Sequence, residues 1–221
     1  MDLSLLYYTA NRIKDRFSKR VRDHLISITQ GKIPVISISQ KPMNFGLNIH
    51  VGDIGFSTYN IYKQILIGAK AATTEFVACC EDDSLYNEEH LSFRPLADEI
   101  AYNINRWTVD SSGIYFTRGR VGMCMCIAPR ELLIRTLEER FEKFPVPLDR
   151  VGATGWGEPG KVEERLGLPI VKLLTFRTNA PTITFNHRGL GGRRKILPTD
   201  IVSDELPEWG RADELWRTFC G

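Results

Sequence analysis

The sequence lacks any apolar run near the length that crosses a bilayer, which takes about 20 residues. The first five residues also lack a basic segment ahead of the apolar ones and a small-residue cleavage site, so we expect no signal peptide. These two absences predict a protein of the cytoplasm that does not insert into a membrane.

Cysteine is scarce, with five residues in the chain, and none of them forms a pattern typical of a zinc site. Cys79 and Cys80 are adjacent, and Cys124 and Cys126 alternate within an apolar run. An odd number of cysteines inside apolar segments indicates buried, reduced thiols rather than a disulfide framework. This agrees with a cytosolic compartment.

Net charge is also small, at +2 with a pI near 8.3. A dedicated nucleic-acid-binding domain usually has a higher pI or a basic stripe, so the total charge does not identify such a partner. Hydrophobic residues make up 43% and charged residues 25% of the 221 residues, which is typical of an ordered globular protein. The length suits one large domain or two small ones.

Hydrophobic periodicity in the first third of the chain alternates between strands and amphipathic helices. Asn11 is the expected N-cap of the first helix, and Ser57 or Thr58 that of the second. The predicted elements are a strand at 3–9, a helix at 12–29, a strand at 34–39, a helix ending near 72 and a strand at 76–80. Such alternation predicts a parallel sheet with right-handed crossovers.

The strand at 76–80 ends abruptly in Glu81, Asp82 and Asp83. In an open α/β sheet the carboxyl edge is where ligands bind, and extended geometry directs Glu81 and Asp83 to the same side. Two carboxylates at such a short distance favour a cation between them. Their hard oxygens suit Mg²⁺ or Mn²⁺, and such an ion can hold a diphosphate. The alternative is an acidic loop that opens a helix capped by Asp83 or Ser84.

The second half predicts a continuation of the α/β pattern, followed by a glycine-rich loop. We expect a short helix through residue 101, a strand at 102–109 and a helix near 129–144. A basic turn contains Arg118 and Arg120, and Glu158 lies among the glycines. Tryptophans near the C-terminus predict a tail, residues 201–221, that packs back on the domain.

Three segments together resemble the nucleotide-sugar glycosyltransferases of the A-type (GT-A) fold, especially a small phage and bacterial branch that includes DNA-modifying enzymes. The segments are NIYKQILIG at 60–68, CEDDSLY at 80–86 and HLSFRP at 90–95. The resemblance implies a single Rossmann-like α/β domain with a mostly parallel central sheet flanked by helices. It assigns about 1–100 to binding of the nucleotide sugar and about 101–200 to the acceptor.

The same resemblance implies a divalent cation, Mn²⁺ or Mg²⁺, and a nucleotide-sugar donor, with a UDP-sugar favoured. Asp83 would ligate the ion, joined by Glu81 and by His187 near the C-terminal end. The residues expected to contact the nucleotide sugar are Thr9, Ala10, Asn11, Lys63, Gln64, Glu81, Asp82, Arg193 and Arg194. Turn, cap and exposed-helix roles explain Thr9, Asn11 and Lys63 nearly as well.

An inverting transferase needs a carboxylate that deprotonates the acceptor hydroxyl. Glu158 is the first choice for this base and Asp149 the second, whereas a retaining enzyme would need neither. Trp156, Arg118 and Arg120 are the candidates for binding the acceptor.

Three functions stay open at this point. The acceptor favoured by the resemblance is a 5-hydroxymethylated pyrimidine in double-stranded phage DNA. A bacterial surface glycan or a lipid-linked sugar is the alternative acceptor. A third possibility, of another class, is a catalytically silent nucleotide-binding or scaffold protein that keeps the fold.

Overall fold

A computed structural model describes residues 2–146, 157–186 and 195–221. The strands, in chain order, are β1 (Leu3–Thr9), β2 (Val35–Ser39), β3 (Leu47–His50), β4 (Phe76–Glu81), β5 (Ser84–Leu85), β6 (Glu99–Asn103), β7 (Arg106–Asp110), β8 (Ile114–Thr117), β9 (Cys126–Pro129), β10 (Lys172–Phe176), β11 (Thr182–Asn186), β12 (Ile201–Ser203), β13 (Glu205–Leu206) and β14 (Gly210–Arg211). The helices are α1 (Asp15–Thr29), α2 (Thr58–Ala71), α3 (Glu88–Ser92), α4 (Arg130–Lys143), α5 (Glu163–Leu166) and α6 (Ala212–Cys220).

The central sheet has the strand order β10-β6-β9-β4-β1-β2-β3. β1 runs parallel to both β2 and β4, and β9 is antiparallel to its neighbours β4 and β6. From β1 the chain moves outward to β2 and β3, and then crosses back to β4 on the other side of β1. A crevice therefore opens between the carboxyl ends of β1 and β4, where the strand order reverses.

Both faces of the central sheet are covered by helices. All seven residues of β1 are buried, as expected of a strand inside a parallel sheet. Leu6 and Tyr8 pack in one cluster with Ile65 of α2, whereas Leu5 packs in another with Leu25 of α1. Because alternate strand residues point to opposite faces, α1 and α2 lie on opposite faces. The expected mostly parallel α/β sheet flanked by helices is confirmed.

The start of α1 differs from the prediction. The helix begins at Asp15, and Lys14 occupies the N-cap position without a side-chain hydrogen bond. Asn11 is not the cap, because its backbone is left-handed with φ at 51° and its side-chain oxygen accepts a hydrogen bond from Lys41 N at 2.8 Å. The side chain that was expected to begin a helix instead joins the loops after β1 and β2. By contrast, Ser57 caps α2 as predicted, accepting a hydrogen bond from Asn60 N.

The expected short helix through residue 101 is wrong. The helix in this region is α3, which ends at Ser92, and the segment that follows contains β6. β6 is buried along its whole length and pairs with β9 on one side and β10 on the other. Pairing on both sides decides the conformation, overriding a weak local preference.

A second sheet, in the order β12-β8-β7-β11-β5, joins the C-terminal tail to the rest of the chain. Trp209 Nε1 donates a hydrogen bond to Pro181 O at 2.8 Å, and Phe185 of β11 contacts the rings of Trp216 and Phe219. In the part of the chain that the structure describes, no helix has both the length and the apolar character needed to cross a membrane. Cys79, Cys80, Cys124 and Cys126 are buried and unbridged.

Candidate functional site

The carboxyl ends of β1 and β4 are joined by side-chain hydrogen bonds. Tyr8 is the register partner of Glu81, and its hydroxyl donates to Glu81 Oε1 at 2.9 Å. The hydroxyl of Thr9 donates to the carboxylate of Asp82 in the same way. Glu81 and Asp82 are thus held in place by the last two residues of β1.

Glu81, Asp82 and Asp83 all line one cavity of about 190 Å³, which we call the edge cavity. Thr9, Ala10 and Gln64 line it as well. The edge cavity therefore lies at the reversal point between β1 and β4, which is the place that the sequence predicts for a ligand.

Burial and like charge shape the electrostatics of this edge. Burial raises the pKa of Asp82 to about 6, and the charge of Glu81 adds to this rise, while the hydrogen bond from Thr9 opposes it. Burial raises the pKa of Tyr7, and the charge of Asp82 adds to this rise. Burial likewise raises the pKa of Cys124, with the charges of Glu81 and Asp83 adding to it. Burial alone would lower the pKa of Arg106, whereas the same two charges raise it. A cation bound at this edge would favour the ionised forms of the carboxyl groups.

The donor atoms at this edge suit a divalent cation such as Mg²⁺ or Mn²⁺, which prefers carboxylate oxygens. Glu81 and Asp83 are the described residues that would hold the ion; the carboxylate of Asp83 also accepts a hydrogen bond from the Ser84 hydroxyl at 3.1 Å. Within 2–146, 157–186 and 195–221, no group of three histidine, cysteine or acidic side chains is arranged as a complete metal site. His187, the third expected ligand, lies outside these ranges.

The residues expected to contact the nucleotide have different surroundings. Gln64 is buried, and its amide nitrogen donates to Thr9 O at 3.0 Å and to Ile38 O at 2.8 Å, so it braces the ends of β1 and β2. Lys63 is exposed on α2 and does not line the edge cavity. Whether either side chain binds a ligand stays a prediction, and Arg193 and Arg194 lie outside the described residues.

An aromatic surface that the sequence reading missed lies beside the edge cavity. Phe56 is 47% exposed and lines the cavity, and the guanidinium carbon of Arg12 lies 4.5 Å from its ring centroid. Gln40 Nε2 donates to Gly55 O at 2.7 Å and thereby fixes the loop that carries Phe56. The signal was present as an aromatic residue between a glycine-rich loop and the N-cap Ser57, but a loop aromatic alone does not indicate a site.

A second cavity, of about 280 Å³, brings together three residues that the sequence assigns to the acceptor and to catalysis. Glu158, Arg118 and Arg120 all line it, together with Arg106 and Lys161, and we call it the basic cavity. Their roles stay predictions. The other candidates for this region, Asp149 and Trp156, lie outside the described residues.

The charges of the basic cavity are partly paired. Arg118 donates through Nε and Nη2 to the two carboxylate oxygens of Asp200, at 2.6 and 2.9 Å. Lys161 Nζ lies 3.6 Å from Glu158 Oε2. The pairing with Asp200 means that Arg118 already has a carboxylate partner, which the sequence reading did not foresee.

The loop that carries Glu158 is held by buried contacts from α4 and β6. Arg140 of α4 donates to Glu163 Oε1 at 2.8 Å through Nε and to Gly157 O at 2.7 Å through Nη1. The hydroxyl of Tyr102 donates to Pro159 O at 2.8 Å. These bonds fix the backbone on both sides of Glu158, so its position is set by the fold.

Neither a protein-family model nor a curated protein matches the sequence. Among solved structures, the chain is similar to the mannosyltransferase PcManGT from Pyrobaculum calidifontis, solved with GDP-Man and Mn²⁺, at 10% identity and a TM-score of 0.50. The match covers 83% of this chain and 56% of that one, so the chain spans little more than half of the mannosyltransferase.

Two further solved structures match most of this chain with TM-scores below 0.5. A Drosophila β1,4-galactosyltransferase 7 mutant, in complex with manganese, UDP-Gal and xylobiose, is 14% identical with a TM-score of 0.45, covering 90% of this chain and 78% of that one. A glycosyltransferase involved in glycosylation of the major capsid of PBCV-1 is 8% identical with a TM-score of 0.48, covering 83% and 93%. At 10% identity, the likeness to the mannosyltransferase shows a shared α/β fold and nothing more.

Proposed function

We propose that the protein is a metal-dependent glycosyltransferase that moves a sugar from a nucleotide-sugar donor to an acceptor hydroxyl. The observation that carries the proposal is the edge cavity, which is lined by three consecutive acidic residues beside the end of β1, where the strand order reverses. Ligands of open α/β sheets bind at such points.

In this proposal Asp83 and Glu81 would hold a Mn²⁺ or Mg²⁺ ion, which would supply positive charge to the diphosphate of the donor, most readily a UDP-sugar. A bound divalent cation neutralises negative charge on a departing nucleoside diphosphate. Thr9, Ala10, Gln64 and Asp82 line the same cavity and are proposed contacts of the nucleotide. Phe56, 47% exposed beside the cavity with Arg12 over its ring, is an aromatic residue of the kind that stacks on a nucleobase, which supports a nucleotide as the ligand.

Glu158 is proposed as the general base of an inverting reaction. Its carboxylate would take the proton of the acceptor hydroxyl while that oxygen forms a bond to the anomeric carbon of the sugar. The bond between this carbon and the phosphate oxygen breaks, and the nucleoside diphosphate leaves with the electron pair. The support is that Glu158 is half-buried, held by its loop, and lines a cavity with cations suited to an acceptor.

For the acceptor we propose a 5-hydroxymethylated pyrimidine in DNA. Arg118 and Arg120 beside Glu158 supply positive charge next to the proposed base, and phosphate contacts by such residues dominate affinity for DNA. A base inside a duplex would have to be flipped out to reach Glu158. A surface glycan or lipid-linked acceptor is the alternative, and a silent nucleotide-binding protein is the alternative outside enzymes.

The test is a transfer assay with UDP- and GDP-sugars, Mn²⁺ and duplex DNA with or without 5-hydroxymethylcytosine, read by mass spectrometry of the nucleosides. We expect one added sugar on the hydroxymethylated nucleoside, none on plain cytosine, and loss of the product in Asp83→Asn. Arg135→Gln, a change at an exposed position of α4 that lines neither cavity, serves as a matched surface control for folding. Transfer of the sugar to a glycan and not to DNA would overturn the DNA acceptor. Consumption of the donor without transfer of its sugar to any acceptor would overturn the transferase.

A further inference from the structure

Arg106 is a half-buried cation whose only hydrogen-bond acceptor within the described part of the chain is a thiol. It begins β7, and its Nη1 lies 3.4 Å from Cys124 Sγ. Burial raises the pKa of Cys124 to about 12, so the thiol is neutral at pH 7 and does not balance the guanidinium. No carboxylate among the described residues forms an ion pair with Arg106.

The position of this guanidinium depends on a glycine. A Cβ at Gly122 would collide with Arg106 Nη1, so the absence of a side chain there makes room for the guanidinium. On the other side, the hydroxyl of Thr117 donates to Arg106 O at 2.6 Å. Arg106 is thus held at both its backbone and its guanidinium, so the side chain is preorganised to bind a ligand.

Arg106 is also electrostatically tied to the acidic edge. Burial alone would lower its pKa, but the contact with Cys124 and the charges of Glu81 and Asp83 raise the pKa above its ordinary value. The guanidinium therefore stays charged. It lines the basic cavity and also interacts electrostatically with the two carboxylates that we propose as metal ligands.

Two guanidiniums of the basic cavity form no ion pair with a carboxylate of the described residues. Arg118 is paired with Asp200, and Lys161 lies beside Glu158. Glu81 and Asp83 act electrostatically on Arg106, and Arg120 acts on Asp200, but neither arginine forms an ion pair within the described ranges. Two arginines with free donor positions in a small cavity select an oxyanion, and their fork geometry matches phosphate better than a lone lysine would.

The location of this cavity decides which phosphate it receives. Glu158, the proposed base, lines the basic cavity, whereas the three edge acids line the edge cavity, and the two share no lining residue. A group held by Arg106 is therefore on the side of the attacking hydroxyl. We propose that the basic cavity binds a phosphodiester of the acceptor next to the reacting hydroxyl, with Arg106 as its innermost ligand. This inference rests on the proposed function.

The experiment compares duplex binding by the full chain in wild type, Arg106→Gln and Arg106→Lys, at several salt concentrations. Arg135→Gln is the matched control, because Arg135 is exposed on α4 and lines neither cavity. For Arg106→Gln we expect affinity for a hydroxymethylated duplex to fall about 5- to 100-fold and the slope of log K against log salt to decrease by about 0.9. Arg135→Gln should change the slope by much less.

Arg106→Lys keeps the charge but loses the fork, so we expect weaker binding with an unchanged salt slope. This variant also decides the case if Arg106→Gln does not fold. A second arm measures affinity for UDP with Mn²⁺, which should change less than threefold in the Arg106 variants. A salt slope equal to that of wild type in Arg106→Gln overturns the proposal.

An equal loss of affinity for UDP would also overturn it, because it would assign Arg106 to the diphosphate of the donor. Failure of the proposed function looks different. If wild type binds the duplex with an Arg106-dependent salt slope but does not bind UDP with Mn²⁺, the phosphodiester subsite stands and the nucleotide-sugar donor is wrong.

Discussion

Arg140 and Glu163 form an ion pair whose side chains are 0% and 2% exposed. A buried pair of this kind contributes little net stability compared with apolar residues, but removal of one partner leaves an unbalanced charge in a medium of low dielectric constant. Arg140 also bonds Gly157 O, one residue before Glu158. Stability and the position of the proposed base therefore depend on the same side chain.

We expect Arg140→Met to lower the free energy of unfolding by about 3–5 kcal/mol, measured by urea denaturation. Adding Glu163→Gln removes the unbalanced charge, so the double variant should lose less than the sum of the single changes. Lys70→Gln, which breaks an ion pair of half-exposed side chains with Glu138, is the control and should cost below about 1 kcal/mol. Equal losses for the buried and the exposed pair would contradict this account.

Individual residues also show what the sequence could and could not predict. The sequence predicts a site at the acid triplet because an apolar strand ends there in three acidic residues. It predicts Glu158 as a candidate base because this residue is the acid in a glycine-rich loop. It does not predict Arg106, since its thiol partner Cys124 and the clearance at Gly122 arise only when β7 and the segment before β9 meet in space. The sequence predicts that Gln64 lies near the edge of the sheet, but it does not predict the hydrogen bonds by which Gln64 links β1 and β2.

At the scale of elements, the close approach of α2 to the sheet depends on Gly68. A Cβ at this position would collide with the side chain of Ile38 and lie 3.3 Å from Leu6 Cδ2. Helix propensity alone would favour alanine by about 1 kcal/mol, whereas overpacking of a core typically costs about 1–3 kcal/mol. We expect the contacts with β1 and β2 to outweigh helix propensity, so that an alanine at this position lowers the free energy of unfolding.

We therefore expect Gly68→Ala to destabilise the protein by about 1–2 kcal/mol, seen as a lower midpoint in thermal or urea unfolding with an unchanged m-value. Ala71→Gly, near the end of the same helix, is the matched control and reports propensity without a clash. A gain in stability for Gly68→Ala would show that α2 can move away from the sheet at little cost.

Elements whose pattern is local were predictable, and those set by distant pairing were not. β1, α2 and β4 follow from periodicity, capping and apolar runs within their own segments. Residues 99–101 of β6 were predicted to end a helix, whereas their strand conformation comes from pairing with β9 and β10, which lie far along the chain. The start of α1 was misplaced because Asn11 bonds Lys41 instead of its own helix.

For the whole molecule, a net charge of +2 conceals a separation of charge between two cavities. The edge cavity is acidic and lies at the reversal point of the central sheet, and the basic cavity is formed by β7, the segment after β8 and the loop of Glu158. A cation with a nucleoside diphosphate suits the first, and an anionic acceptor suits the second. The order of strands, not the composition, creates this separation.

The central claim is that Asp83 and Glu81 hold a divalent ion that binds the diphosphate of a nucleotide. Its most direct test is titration of Mn²⁺ into the protein with and without UDP, with free Mn²⁺ followed by electron paramagnetic resonance, in wild type and in Asp83→Asn. We predict one tightly bound Mn²⁺ per chain in the presence of UDP, and at least tenfold weaker binding in Asp83→Asn, equivalent to about 1.4 kcal/mol or more. Identical titrations for the two proteins would contradict the claim.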